Sequence, residues 1–140
     1  MPRFLLCLLF LVASCRGSGT QIAAPADVAQ PPETAVTTAS GLVYVVLKQG
    51  NGVFPRGRDK VTVHYTGWTV DGQMFDSSVS RGRPSSFAVG GVIAGWTEAL
   101  LLMKTGSEYR LWVPEHLAYQ GQAGYPAGTL VFDVSLISVD

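Results

Sequence analysis

Two shortages limit what this sequence can encode: it has few charged residues and very little cysteine. Lys+Arg and Asp+Glu number 10 each among 140 residues, so the formal net charge is zero and charged residues make up only 14% of the chain. Nucleic-acid-binding proteins usually carry a basic excess or a basic stripe, and the sequence has neither. We therefore expect no nucleic-acid partner.

Cysteine and histidine each occur twice, and this scarcity argues against disulfide and metal chemistry. Cys7 and Cys15 both lie near the N-terminus, so the rest of the chain has no disulfide framework. His64 and His116 have no cysteine or histidine at ligand spacing, so we expect no metal and no cofactor. A hydrolase is also disfavoured, because four serines lack the nucleophile-elbow context: Ser77, Ser78, Ser85 and Ser86.

The first fifteen residues predict an export signal that ends in a lipidated cysteine. Arg3 supplies positive charge, and the apolar run FLLCLLFLVAS (4–14) is far shorter than the ~20 residues that span a bilayer. Small residues precede Cys15 where this run stops, and LVASC resembles a bacterial lipobox. The resemblance implies cleavage after Ser14 and attachment to a membrane through lipid on Cys15. The alternative is an ordinary secretory signal that happens to end near a cysteine.

A low-complexity segment follows, from residue 16 to about residue 40. RGSGTQIAAPADVAQPPETAVTTAS is rich in Ala, Thr, Pro, Gly and Ser and has no apolar period, which predicts a flexible tether. The predicted organisation is a signal peptide at 1–14, the lipidated cysteine and tether at 15–40, and a folded domain at 41–140. The domain would face the periplasm in the bacterial cell envelope. Arg16 is not the aspartate associated with inner-membrane retention, which favours the outer membrane.

Strand patterns dominate the folded domain. DKVTVHYTGW (59–68) and TLVFDVSLI (129–137) alternate apolar side chains with others at a period of two. One segment has a helical period instead, with an apolar face formed by Trp96, Ala99, Leu100 and Met103. These patterns predict an α+β fold in which one short α-helix packs against an antiparallel sheet.

The glycine spacing in GGVIAGWTEALLLM (90–103) raises the possibility of a phosphate-binding loop. Gly90 and Gly95 are correctly spaced for such a loop, but Trp96 stands where it needs lysine. The doubly wound fold that carries these loops would also place a parallel strand directly before it. We therefore reject a nucleotide site here.

Three longer motifs resemble the FKBP-type peptidyl-prolyl cis-trans isomerases, the family that binds macrolides such as rapamycin. They are VHYTGWTVDGQMFDSS (63–78), FAVGGVIAGWTEAL (87–100) and LAYQGQAGYPAGTLVFDVSLI (117–137). The similarity runs from about Gly41 to Asp140. It implies an enzyme that accelerates Xaa-Pro isomerisation in proline-containing polypeptides of the envelope, with macrolides as further ligands and no cofactor. The sequence shows neither the dimerising helical arm nor the inserted chaperone domain of some bacterial relatives, so we expect a monomer.

The resemblance also implies that a twisted antiparallel β-sheet wraps around the one short α-helix, with a cleft between the sheet and the helix. Trp96 would form its floor beneath the prolyl ring. Val92 and Ile93 would form a rim, with the Ile93 N–H offered to a bound carbonyl. Asp76 and Tyr119 would be the polar members. The walls would be four aromatic side chains: Tyr65, Phe75, Phe87 and Phe132.

Other details of the resemblance concern glycines and one loop. Gly90, Gly91 and Gly95 would let the chain turn sharply and bring backbone against the ligand. The loop QGQAGYPAG (120–128) is shorter than in most family members and has a single proline. Tyr125 is a candidate for the wall that the longer loop normally supplies.

Two interpretations of the aromatic residues stay open from sequence alone. Aromatic side chains on strands often serve only as core packing, so these residues could be core and not pocket. If they form a pocket, the protein is either a lipid-anchored foldase or a binding module that holds prolyl segments of a partner without turnover. A protease-coupled assay on Xaa-Pro peptides separates them.

Overall fold

A computed structural model describes residues 20–140 of the chain. Seven strands form one antiparallel sheet in the order β1-β2-β6-β7-β3-β4, and β5 pairs with the beginning of β3. The strands are β1 Val36–Thr37, β2 Val43–Lys48, β3 Lys60–Thr69, β4 Met74–Ser77, β5 Ser85–Ala88, β6 Glu108–Val113 and β7 Leu130–Val139. The predicted signal peptide and Cys15 lie outside the described residues.

The central strands β3 and β7 follow the alternation expected from the sequence. Val61, Val63 and Tyr65 of β3 are buried on the inner face of the sheet. The same face of β7 contributes four buried side chains: Leu130, Phe132, Val134 and Leu136. Because successive strand residues point to opposite faces, this register places Tyr65 and Phe132 on the side that meets the helix.

The main helix, α2 (Ala94–Leu102), packs its predicted face against this inner surface. Trp96, Ala99, Leu100 and Met103 are buried, whereas Leu101 and Leu102 are exposed. The α+β prediction, an antiparallel sheet around one main short helix, is confirmed. The structure adds a one-turn helix, α1 (Ser78–Arg81), which has no apolar period to reveal it. Ser77 caps its first turn through Oγ, and Gly82 ends it with φ 84°.

The glycines before α2 lie in a tight turn and at a close packing contact. None of Gly90, Gly91 and Gly95 has positive φ, and the first two lie in a 3₁₀ turn, Val89–Gly91. A Cβ on Gly95 would lie 2.5 Å from a methyl carbon of Val113. Gly95 is therefore needed for close packing of the helix on β6, and not for a left-handed turn.

The segment expected to be a flexible tether differs most from the prediction. Residues 20–37, which we call the strap, pack against the outer face of the sheet. Ile22, Ala24 and Val28 cover a second buried cluster formed by Trp68, Trp112 and Val131. The tether prediction is therefore wrong from residue 20 onward.

Polar contacts explain why a segment with so few large apolar side chains is held in place. Trp68 Nε1 donates to the carbonyl of Ile22 at 2.9 Å, and Trp112 Nε1 donates to that of Val28 at 3.3 Å. Arg110 bridges to Asp27 at 3.2 Å. The strap ends in β1, which pairs with β2. Residues 20–140 contain no helix with the length and apolar character needed to cross a bilayer.

Candidate functional site

Five aromatic side chains form one cluster between the sheet and α2. Its centre is Trp96, whose ring centroid lies 5.1 Å from that of Tyr65, 5.6 Å from that of Phe87 and 5.4 Å from that of Phe132. All three neighbours meet the indole edge to face, at 84–85°. Phe75 completes the aromatic cluster through a similar contact with Phe132, at 5.6 Å. The structure thus brings together the expected floor and wall residues, which come from β3, β4, β5, α2 and β7.

Gly67 makes room for this cluster, and sequence reasoning missed it. A Cβ at this position would lie 2.8 Å from ring atoms of both Phe132 and Phe75. Real Cβ atoms do not approach so closely, so any side chain at residue 67 would displace one of the two rings. The only sequence signal was a glycine inside a strand pattern, which often marks a close approach of another group.

The polar part of the site is a hydrogen-bonded triad of Asp76, Tyr65 and Arg81. The Tyr65 hydroxyl donates to Asp76 Oδ2 at 2.6 Å, and Arg81 Nη1 donates to Oδ1 at 2.7 Å. Arg81 Nη2 also donates to the Tyr65 hydroxyl oxygen, at 3.2 Å. Asp76 is almost fully buried. Arg81 is therefore a site residue that sequence reasoning missed; it is brought to Asp76 by the one-turn helix α1.

Burial controls the protonation of the triad. It raises the pKa of Asp76 above its ordinary value, and the bonds from Tyr65 and Arg81 oppose that rise. Burial, helped by the neighbouring Asp76 carboxylate, raises the pKa of Tyr65 well above its usual range. The phenol therefore stays protonated and keeps donating to Asp76 across neutral and mildly alkaline pH.

Tyr119 lies at the other side of the aromatic cluster, after a 3₁₀ turn at Glu115–Leu117. Its hydroxyl is buried without a hydrogen-bond partner among the described residues, as is the indole Nε1 of Trp96. Burial, and next the Asp76 charge, raises the pKa of Tyr119. The ring of Tyr125 stacks on Tyr119 at 4.8 Å and 21°. The candidate wall residue thus lies beside the predicted site.

Val92 and Ile93 stand at the junction between the 3₁₀ turn and α2. Ile93 is buried in the main hydrophobic core, and Val92 is half-buried against that core. Beside them a groove of about 580 Å³ runs along α2. Its lining includes Val92, Ile93, Thr97, Glu98, Leu101 and Gln120. The predicted rim therefore separates the aromatic cluster from an open surface groove.

Each of the two histidines forms a hydrogen bond with a serine residue. His64 Nδ1 shares a hydrogen bond with Ser78 Oγ at 2.8 Å, and His116 Nε2 lies 2.7 Å from the carbonyl oxygen of Ser40. Within residues 20–140, His, Cys, Asp and Glu nowhere gather in a group of three or more that could hold a metal ion.

The fold and the aromatic cluster together define a class: an antiparallel sheet wrapped over one helix, with an aromatic site between them. Residues 52–137 match the family described as FKBP-type peptidyl-prolyl cis-trans isomerase, which is more than half of the chain. The chain belongs to this family.

Relatives and a solved structure agree with this assignment. The chain is 50% identical over 108 residues to the FKBP-type 22 kDa peptidyl-prolyl cis-trans isomerase of Escherichia coli, covering 74% of this chain and 52% of that protein. It is 47% identical over 108 residues to the outer membrane protein MIP of Legionella longbeachae, covering 74% and 46%. The chain thus spans about half the length of the curated relatives it matches. A crystal structure of a peptidyl-prolyl cis-trans isomerase from Pseudomonas syringae pv. tomato superposes with a TM-score of 0.71 at 29% identity, covering 99% of this chain and 95% of that one.

Proposed function

We propose that the domain catalyses cis-trans isomerisation of Xaa-Pro bonds in polypeptides, with the prolyl ring held against Trp96. The observation that carries this proposal is the set of edge-to-face contacts by which three aromatic rings hold the Trp96 indole in place. Family membership supports the same reaction. The experiment that tests it is a protease-coupled assay on Xaa-Pro peptides, in which the purified chain accelerates isomerisation above the uncatalysed rate.

The reaction suits a site of this composition. An Xaa-Pro bond rotates slowly because the planar amide is resonance-stabilised, with a barrier of roughly 18–20 kcal/mol. No bond is broken, so neither a nucleophile nor a metal is needed. The twisted amide has less charge separation than the planar one, so an apolar site disfavours the ground state more. Hydrogen bonds made only to the twisted form lower the barrier further.

Two donors at the site supply those hydrogen bonds in our proposal. The Tyr119 hydroxyl has no acceptor or donor among the described residues, so a substrate carbonyl would satisfy it. The Ile93 N–H at the rim would donate to a second carbonyl. Asp76 is occupied by Tyr65 and Arg81, so we assign it the role of orienting Tyr65, whose ring lines the site.

The surface groove offers the polypeptide a path on one side of the proline. It begins at Val92 and Ile93 and continues past Thr97 to the exposed Leu101. An extended chain would lay apolar side chains against Leu101 and leave its backbone close to Glu98 and Gln120. A macrolide such as rapamycin would fill the aromatic site in place of the prolyl ring.

A binding module without turnover is the second candidate. Trp96 has no exposed surface, so the aromatic site is closed in this conformation and must open both for binding and for turnover. The peptide assay decides between the two candidates: rapamycin binding without rate acceleration would identify a binding module.

The pH profile of turnover is a first test of the mechanism. We expect a rate that is nearly flat from about pH 6 to about pH 8.5, where acid–base catalysis would give a limb or a bell. The raised pKa values of Tyr65 and Tyr119 keep both hydroxyls protonated through this range. The pKa of Asp76 is raised above its ordinary 3.8. The turnover rate should therefore fall at acidic pH as Asp76 becomes protonated, and Asp76→Asn should remove this fall.

The measurement is the initial rate on one Xaa-Pro peptide, corrected for the uncatalysed reaction. Chelators and thiol reagents should leave the rate unchanged. A slope of one log unit per pH unit near neutrality, lost on replacing His64 or His116, contradicts the mechanism.

We also propose that the domain is monomeric and is held in the bacterial envelope by lipid on Cys15, at the outer membrane. LVASC and the name of the Legionella relative support this location. Four residues separate Cys15 from Thr20, where the strap begins, and a chain extends at most ~3.6 Å per residue. The domain would therefore sit close to the bilayer surface, because the strap takes up most of the predicted tether.

Replacing Cys15 with serine tests the anchor. Cys15→Ser should prevent acylation and move the protein from the detergent phase to the aqueous phase of a detergent extraction, with its isomerase activity retained. Cys7→Ser is the matched control, because Cys7 lies inside the predicted signal and should not affect partition. Aqueous partition of the unaltered protein shows that the anchor is absent.

A further inference from the structure

The residues that would meet a prolyl ring are sealed in this conformation. The exposed fraction is 0% for Trp96 and Phe132 and 1% for Tyr65 and Tyr119. The Trp96 indole N–H and the Tyr119 hydroxyl are buried without partners in the described part of the chain, a costly arrangement for groups that could otherwise bond to water. A guest therefore reaches Trp96 only after a neighbouring group moves away.

Most of the half-buried side chains around the site are attached to backbone that cannot move easily. Phe87 lies in β5, where it pairs with Val61 of β3. Phe75 lies in β4, between residues that also pair with β3. Val92 lies between a 3₁₀ turn and α2. Moving any of these backbones breaks ladder or helix hydrogen bonds, so they form the fixed part of the wall.

Tyr125 is different, because residues 120–128 contain no strand and no helix. Backbone bonds in this segment are local: Gln122 N–H donates to the Tyr119 carbonyl and Tyr125 N–H to the Gln122 carbonyl. At its far end, Gly128 N–H donates to the Glu115 carboxylate at 2.9 Å. Few long-range bonds therefore oppose movement of the segment as a unit.

The start of the segment is also strained. Gln120 has φ 58°, and it is the single non-glycine residue with positive φ in the described part of the chain. Gly121 and Gly124 follow with φ 77° and 85°. A non-glycine residue such as Gln120 is strained at positive φ, and a change of loop conformation would release this strain.

From these observations we propose that Tyr125 gates the aromatic site. Its ring, stacked on Tyr119, closes the access to Trp96, and residues 120–128 swing away to admit the guest. The gate rests on the proposed function only for the identity of that guest. The short loop then controls access to the site and is not a fixed wall, so removing the Tyr125 ring should speed ligand entry.

The test is the association rate of rapamycin with the full chain and its variants, followed by stopped-flow fluorescence. If the gate is open in about 10% of the unaltered molecules, Tyr125→Ala, in which the site is always open, should raise the association rate about tenfold. Tyr125→Phe keeps the stacked ring and should bind at the original rate. Tyr44→Ala is the matched control, because Tyr44 forms an equivalent stack with Tyr109, at 5.2 Å and 14°, away from the site.

A second readout is independent of ligand and of turnover. In protein labelled with 5-fluorotryptophan, the ¹⁹F resonance of Trp96, assigned with Trp96→Leu, should show a larger H₂O/D₂O solvent shift in Tyr125→Ala and an unchanged one in Tyr44→Ala. If peptide turnover is absent but this solvent shift grows, the proposed function fails while the gate stands. An unchanged association rate with faster dissociation, or an unchanged solvent shift in folded Tyr125→Ala, overturns the gate.

Discussion

Trp96→Leu should reduce both isomerase turnover and rapamycin affinity by about tenfold or more, because the indole is the surface on which the guest is proposed to rest. A leucine keeps the site apolar but removes the flat ring that three aromatic neighbours hold edge to face. Each tenfold loss of affinity corresponds to about 1.4 kcal/mol of lost binding free energy. The measurements are kcat/KM on an Xaa-Pro peptide and the Kd of rapamycin by calorimetry.

Leucine is chosen over alanine to separate binding from folding. A buried Trp→Ala change typically costs about 3–5 kcal/mol of stability, which would obscure a loss of binding. Trp112→Leu is the matched control, since Trp112 is also buried but lies beneath the strap on the opposite face of the sheet. It should lower the melting temperature and leave the Kd of the folded protein unchanged. Unaltered rapamycin binding by folded Trp96→Leu contradicts the placement of the guest.

The parts of the fold that followed from sequence are those in which periodicity reports burial directly. β3 and β7 alternate along their length, and Trp96, Ala99 and Leu100 have helical spacing, so each pattern identified one buried face. Val131 shows the limit of this reasoning. It lies on the opposite face of β7 from Phe132 and is equally buried, because the strap covers the outer face as well.

The expected site residues lie together, but sequence reasoning missed two of their neighbours. Arg81 reaches Asp76 because a one-turn helix folds the chain back, and an apolar period cannot reveal so short an element. Gly67 is required by two aromatic rings, one from β4 and one from β7. Contacts of this kind depend on how strands pair, which residue spacing does not specify.

The strap was misinterpreted for a related reason. Its composition of Ala, Pro and Thr resembles that of disordered linkers, and the two larger apolar residues that it partly buries, Ile22 and Val28, give no regular spacing. Their partners, Trp68 and Trp112, are more than 40 residues away in sequence. Two indole N–H groups on a sheet face therefore hold in place a segment whose own sequence predicts no structure.

Removal of the strap is the second large effect that we expect. A chain that begins at Ser40 leaves Trp68, Trp112 and Val131 uncovered and deletes β1 from the edge of the sheet. Fully burying a side chain the size of Ile or Val contributes about 1.5–3 kcal/mol, and Ile22 and Val28 are only partly buried, so the loss should be about 3 kcal/mol. For a domain of about 100 residues that corresponds to a fall in melting temperature of roughly 12–24 °C.

A chain that begins at Thr20 is the matched control, because it keeps every strap contact and lacks only the residues before it. It should melt at the same temperature as the longer protein, whereas the chain from Ser40 should also aggregate, since a large apolar patch becomes exposed. Ile22→Ser with Val28→Ser should reproduce part of the loss in the intact strap, and Val36→Ser, at an exposed position of β1, should not. Equal melting temperatures for the chains from Thr20 and Ser40 would show that residues 20–39 are a tether after all, and that the outer face of the sheet is stable without them.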